Sequence, residues 1–220
     1  MIETRDRILD TAERLFAERG YGSTSLRSIM AAAGVNVAAI HYYFRTKELL
    51  LEAVLRRRVE PANEERLRLL REYEQSRNGA PLEVSGILEA FLYPTFRNAS
   101  HPEQGGYTFV LLLGRLQAES DLLPSLVFSR FGTVLLKFAD ALSRALPELP
   151  PQELFLRARL AMGATAQLLR DGPQIKSLAH EDTLDWLSLM RRVIPFLSAG
   201  FHAPLEFSKY HTANSLKEKE

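Results

Sequence analysis

The chain has 220 residues, 46% of them hydrophobic and 25% charged, with no cysteine and a formal net charge of +1. That size and composition fit one or two globular domains with a substantial core, and they exclude a disordered chain, a disulfide scaffold and a thiolate metal site. The charge divides unevenly: residues 1–58 carry ten Lys or Arg against seven Asp or Glu, and residues 59–220 carry eighteen against twenty, so the positive excess sits at the N-terminal end, with the sign that phosphate contacts require.

The opening MIETRDRIL is charged and flows straight into a helical pattern, which is not a signal peptide. Thr4 opens this first helix, with Ile8, Leu9, Ala12, Leu15 and Phe16 on one stripe and Gly20 ending it. The stripe needs a partner. The next stretch, TSLRSIMAAAGVNVAAIHYYFRTK from Thr24 to Lys47, supplies one as two short helices joined at a glycine. Thr24 is the expected cap of the first, which turns Leu26, Ile29, Met30 and Ala33 inward and stops at a left-handed Gly34. Asn36 caps the second. At about 100° per residue, Ile40, Tyr43 and Phe44 face inward and Ala38, His41, Tyr42 and Arg45 face outward. The outward set is short, polar and aromatic, as a helix that lies on DNA requires, although any helical hairpin has an apolar inner face. Lys47 follows Thr46 at a helix start, where the macrodipole disfavours a cation by roughly 0.3–1 kcal/mol. A phosphate would suit both the lysine and the free N–H groups there; an exposed lysine without a partner is the alternative.

The next helix carries Leu49, Leu50, Ala53, Val54 and Val59 and is expected to end near Arg56, Arg57 and Arg58, a solvated helix end or a basic patch, before a break at Pro61. Further helices are expected over 62–77, 82–97, 106–118, 124–146, 152–170 and 182–200, divided by NGAP, SHPEQGG, SDLLP, PELPP and DGP, with Pro94 as a kink point. The most continuous apolar run, Tyr107 to Gly114, falls well below the roughly 18 residues of a membrane span. No nucleotide loop, nucleophile elbow or zinc-protease motif occurs, and the five histidines are scattered, so neither catalysis, a metal nor a cofactor is expected. A cytoplasmic location suits the absence of cysteine.

Arg5 to Val54, including the aromatic-Phe-x-x-Lys ending at Tyr43, Phe44 and Lys47, resembles the DNA-binding domain of the TetR family of bacterial transcriptional repressors. The chain departs from the family pattern at Ala38, Ala39, Ile40 and His41, where many members carry Gly-Thr and Leu-Tyr pairs, a difference that bears on base-reading contacts. The resemblance implies an all-α protein with a helix-turn-helix domain over residues 1–47, a helical ligand-binding and dimerisation domain over 48–204, and a polar tail over 205–220. It also implies a homodimer through the helices near 152–170 and 182–200. RARLAMGATAQLL there is rich in small residues, and DWLSLMRRVIPFLSAGF is apolar around most of its circumference, as a subunit interface requires. ELFLRARLAMGA and VIPFLSAGFHA further resemble a branch of the family that responds to long-chain fatty acids or their acyl thioesters.

The expected function is a ligand-responsive repressor released from a near-palindromic double-stranded DNA operator by a small apolar effector. Thr24, Ser25, Tyr42 and Lys47 would hold phosphates, Val37, Ala38 and His41, with Arg27 reaching in, would face base edges, and Asn36 at the helix start is a further DNA-binding candidate. The helices rich in large apolar residues suggest an effector cavity lined by Phe91, Phe96, Leu112, Phe128 and Phe131, with Arg115 as either an anchor for an anionic head group or a surface ion pair. The rival reading is a helical small-molecule-binding or adaptor protein whose helix-turn-helix no longer engages DNA.

Overall fold

A computed structural model describes residues 3–101, 105–119, 122–178 and 185–205, and among these every regular element is a helix. The expected tail falls outside the described residues from 206 onward. Helix α1 (Thr4–Arg19) buries Ile8, Leu9, Ala12, Leu15 and Phe16, and Gly20 ends it at φ +87° with its amide donating to Phe16 O. Helix α2 (Leu26–Ala33) starts at Ser25 rather than Thr24. The Ser25 hydroxyl accepts from the Ser28 amide at 3.1 Å, and the Ser28 hydroxyl accepts from the Ser25 amide at 3.1 Å, a capping box built from two serines. Gly34 takes the left-handed conformation at φ +63°, which an L side chain adopts only with strain, and so turns α2 into α3 (Val37–Tyr43). Asn36 Oδ1 caps α3 by accepting from the Ala39 amide at 2.9 Å.

Helix α4 (Lys47–Ser76), capped by the Thr46 hydroxyl, runs unbroken through Pro61. The expected break is overturned by burial. A proline inside a helix costs about 3 kcal/mol, but Val59, Ala62 and Leu70 on the same helix are buried, each large side chain contributing about 1.5–3 kcal/mol. Arg56, Arg57 and Arg58 therefore lie mid-helix, not at a helix end. Helices α5 (Val84–Ala99), α6 (Gly106–Glu119), α7 (Leu122–Ala145), α8 (Pro151–Leu178) and α9 (Trp186–Phe201) complete the described fold. Asp185 caps α9, its carboxylate accepting from the Ser188 amide at 2.6 Å, which holds the Asp185 carboxyl below the usual range. The expected stop at Asp171-Gly172-Pro173 does not occur. Helix α8 continues through it, and the missing Cβ of Gly172 makes room for the Trp186 ring, which lies 5.5 Å from the ring of Tyr107.

Two cores form, and α4 and α6 belong to both. The first joins α1, α2, α3 and Leu50, Leu51, Val54 and Leu55 of α4 to Leu112 and Leu116 of α6. The second gathers Leu70 of α4 and Val110 of α6 with α5, α7, α8 and α9. The packing of the N-terminal unit thus runs past residue 47 into α4. A charge cluster closes the seam. Glu13 of α1 is buried and accepts from Arg57 Nη2 at 2.8 Å and from Arg58 Nε and Nη2 at 3.0 and 2.9 Å, while Arg57 Nη1 reaches Asp10 at 2.7 Å. Gly105, just ahead of α6, packs against Arg58 and Glu13, and a Cβ on Gly106 would run into Asn98 O, so the start of α6 is wedged between α5 and this cluster.

Candidate nucleic-acid interface and apolar cavity

Helix α3 is held from beneath and presented above. Ile40 and Phe44 are buried in the N-terminal core, whereas Ala38 and His41 are exposed and Val37 and Tyr42 are 57% and 80% exposed. Tyr43, expected inside, is 40% exposed and stands edge-on to Tyr42 at 4.9 Å. Its position lies about 80° from the centre of the Ile40–Phe44 stripe, at the rim of the buried face. Arg45 is exposed as expected and takes the left-handed φ of +59°, which turns the chain from α3 into α4.

Ser25, Arg27 and Asn36 are exposed, Asn36 with its carbonyl oxygen committed to the cap. Two expected phosphate ligands play a different part. Thr24 is 1% exposed, and its hydroxyl donates to Gly20 O at 2.7 Å and Leu15 O at 3.2 Å, so it neither caps α2 nor reaches a phosphate. Lys47 Nζ donates to Tyr21 O at 2.8 Å and Thr24 O at 3.0 Å and lies 4.2 Å over the Tyr21 ring. Its negative partners are two carbonyls of the turn before α2, which removes the reason for assigning it a phosphate. Beside it, Tyr21 donates its hydroxyl to Glu48 at 2.9 Å. Burial, then the bond to Glu48, pushes the Tyr21 phenol up to about 12; the Glu48 carboxyl is drawn down by its own amide and then by that hydroxyl. The turn ahead of α2 is thereby pinned to α4. The sequence reading also missed a flank: Arg5, Arg45 and Arg56 line a cleft with Tyr43, Leu49 and Glu52, and the Arg5 guanidinium lies 5.9 Å from the Phe44 ring.

In the second core, α5, α7, α8 and α9 line a partly open cavity of about 70 Å³, bordered by Phe91, Leu92, Phe138, Ala161, Thr165 and Phe201 among others, with the exposed Met162 at its edge. Of the expected lining residues, Phe91 is there. Phe96 is fully buried in the surrounding core without lining the space, and Leu112 belongs to the other core, because α6 turns that face toward α1. Arg115 lies on the exposed side of α6, with Leu112 and Leu116 on the inward face, and is not among the residues that line the cavity. Phe128 and Phe131 lie in α7, outside the residues whose side chains are described. No sequence signal marked Arg66, 6% exposed in α4, which donates to Phe91 O at 2.9 Å, Asn63 Oδ1 at 2.8 Å and Thr95 Oγ1 at 2.6 Å. Burial, opposed by the neighbouring charge of Glu65, pushes its guanidinium down to about 10.

Helices α8 and α9 leave several large apolar side chains exposed where solvent would favour polar groups. Phe155, Leu156 and Leu160 are 65%, 50% and 64% exposed, and Phe196 is 72% exposed. Among the described residues no cluster of three His, Asp or Glu side chains is arranged to hold a metal ion, and no helix is long and apolar enough to cross a membrane.

Residues 8–54 match the family model described as bacterial regulatory proteins, tetR family, and residues 89–200 match that of the tetracyclin repressor-like C-terminal domain. The chain is 42% identical over 82 residues to the transcriptional regulator AcrR of Shigella flexneri, covering 37% of this chain and 36% of that protein. Over 51 residues it is 45% identical to the probable regulator YttP of Bacillus subtilis, covering 23% and 25% respectively. The match thus spans between a quarter and a little over a third of the length of these relatives. Among solved structures, the fatty acid degradation regulator FadR from Bacillus halodurans superposes with a TM-score of 0.60 at 18% identity, covering 93% of this chain and 99% of that one. The ketosteroid transcriptional regulator KstR2 of Mycobacterium tuberculosis gives 0.59 at 17% identity, covering 91% and 95%. At these identities the likeness is one of fold.

Proposed function

The chain belongs to the TetR family of bacterial regulatory proteins, and from that premise we propose that it is a homodimeric transcriptional repressor that leaves a near-palindromic operator when a small apolar effector binds. The observation that carries this reading is the exposed face of α3, where Val37, Ala38, His41 and Tyr42 project from a helix anchored by Ile40 and Phe44. Val37, Ala38 and His41 would face base edges in the major groove, with Arg27 beside them, while Tyr42, Ser25 and the amides at the start of α2 would meet phosphates. Arg5 and Arg45 add positive charge on the flank. The DNA-binding unit would comprise residues 1–47 braced by the first half of α4, and residues 48–204 would bind effector and partner.

A second copy would cover the apolar faces of α8 and α9, placing two α3 helices about 34 Å apart, one turn of B-form DNA. The apolar cavity between α5, α7, α8 and α9 would receive the effector. Relatives named for fatty acid degradation and ketosteroids favour an apolar one. Because α4 and α6 contribute to both cores, a shift at the cavity moves the brace beneath α3. Such coupling is reciprocal, so operator DNA weakens effector binding by the factor by which effector weakens DNA binding.

Selection of binding sites from a random duplex pool, followed by titration of the selected duplex with His41→Ala and Tyr42→Ala variants, tests the proposal. Both side chains are exposed, so the fold should persist while affinity falls about fivefold or more in each, the cost of about 1–3 kcal/mol expected for a direct contact. Enrichment of no sequence, or wild-type affinity in both variants, would contradict it.

A further inference from the structure

We infer that the cleft lined by the start of α1, the end of α3 and the first turns of α4 binds phosphate groups of the operator backbone just outside the bases that α3 faces, with Arg5, Arg45 and Arg56 as its cations. The inference rests on the reading of α3 as the DNA-facing helix and gives it a second contact region. The need for one follows from where the charges lie. Phosphate contacts supply essentially all of the sequence-independent affinity for a duplex, yet residues 20–47 hold only three Lys or Arg: Arg27, Arg45 and Lys47. Lys47 is spent on the carbonyls of Tyr21 and Thr24, and the Thr24 hydroxyl on those of Leu15 and Gly20. The helical hairpin by itself is short of phosphate ligands, and the cleft beside it is rich in them.

On α4, Leu49, Glu52, Ala53 and Arg56 recur at i, i+3, i+4 and i+7, so they form one face about 10 Å long. Arg45 stands just ahead of that face, where its left-handed φ turns the chain out of α3, and Arg5 adds a wall from α1, its guanidinium 5.9 Å from the Phe44 ring. Tyr43 joins the cleft to the face of α3: it lines the cleft and stands edge-on to the exposed Tyr42 at 4.9 Å. The lining sets three guanidiniums against one carboxylate, Glu52, a formal excess of two positive charges. Asp6 lies 3.9 Å from Arg5, but both side chains are at least 40% exposed and solvent screens the pair; Glu48 accepts from the Tyr21 hydroxyl. Among the described residues no ion pair holds Arg45 or Arg56, and both are exposed. The cleft measures about 510 Å³, against about 30 Å³ for one water molecule, which is room for a run of sugar-phosphate rather than a single ion. Planar guanidinium forks suit phosphate oxygens, and the half-exposed Leu49 and Tyr43 offer apolar surface to the sugar between them.

Anisotropy titrations of the full-length protein test this with the selected duplex in two lengths, one trimmed to the enriched base pairs and one extended by about one helical turn on each side. The wild type should bind the extended duplex several-fold more tightly. Arg5→Gln, Arg45→Gln and Arg56→Gln should each lose much of that advantage, with a smaller effect on the trimmed duplex and the same enriched sequence. For the extended duplex, the plot of log affinity against log salt should become shallower by about 0.9 for each phosphate contact removed. Glu52→Gln makes the cleft more positive and should tighten binding to the extended duplex, a gain that damage to the fold does not imitate. Equal losses on both duplexes, or an unchanged salt slope, overturn the inference, while His41→Ala and Tyr42→Ala still report separately on α3. No length advantage in the wild type, together with binding of inorganic phosphate that Arg45→Gln abolishes, assigns the cleft to a free anion and overturns it too. Enrichment of no duplex removes the reading of α3 and the role of the cleft together.

Discussion

Replacing Glu13 with alanine should cost more than any other single change on α1 outside the apolar stripe. The Glu13 side chain is 3% exposed and receives bonds from two guanidiniums, Arg57 Nη2 at 2.8 Å and Arg58 Nε and Nη2 at 3.0 and 2.9 Å. Its removal takes from Arg58 the carboxylate that it bonds and leaves Arg57 with Asp10 at the seam between the cores. Breaking a fully buried ion pair from one side costs about 3–5 kcal/mol. Both arginines keep about a quarter of their surface in water, with side-chain exposures of 26% and 25%, so part of that penalty is relieved by solvent. We expect about 2–4 kcal/mol for Glu13→Ala, and a smaller loss for Glu13→Gln, which keeps an acceptor oxygen. In a chain of this size the alanine variant should melt on the order of 5–10 °C lower. Urea denaturation followed by circular dichroism measures the difference. A change within about 0.5 kcal/mol, the range of an ordinary surface substitution, would show that the cluster does not hold α1 to α4.

Phe196→Glu places a charge on the most exposed apolar residue of α9 and should convert the proposed dimer to monomer in sedimentation velocity without lowering helix content; a dimer of unchanged affinity would remove α9 from the interface. The raised Tyr21 phenol makes a pH prediction. Its folded-state value of about 12 exceeds the ordinary 10, so between these values the folded chain holds a proton that the unfolded chain releases. The resulting stability is complete below about pH 10 and is lost as pH climbs through about 12. Tyr21→Phe should remove that dependence, and an identical high-pH profile in both proteins would refute it.

Much of the N-terminal unit was legible because its punctuation is local. Gly20 and Gly34 stop their helices, Asn36 starts α3, and the spacing of Ile40 and Phe44 puts His41 and Tyr42 on the outer face. The errors come from choices that local rules leave degenerate. Thr24 and Ser25 are both good caps, and what separates them is the bond from the Thr24 hydroxyl to Gly20 O. The macrodipole argument at Lys47 was right that a cation there needs negative partners, but two carbonyls of the preceding turn supply them.

Farther along the chain, distance in sequence hides the decisive contacts. Pro61 and the Gly172-Pro173 pair read as breakers, yet burial around them carries the helices through. Nothing local says that Arg58 pairs with Glu13, 45 residues away, or that α6 gives Val110 to one core and Leu112 to the other. Arg66 escaped notice for the same reason, since its partners at Phe91 and Thr95 lie on a different helix.

Hydroxyl-radical footprinting of the full-length protein on a selected duplex tests the central claim most directly. Two α3 helices presented by a twofold dimer should protect two patches on one face of the DNA, centred about one helical turn or a whole multiple of it apart, and Tyr42→Ala should weaken both equally. A single protected patch, or uniform protection with no preferred centre, would contradict the account.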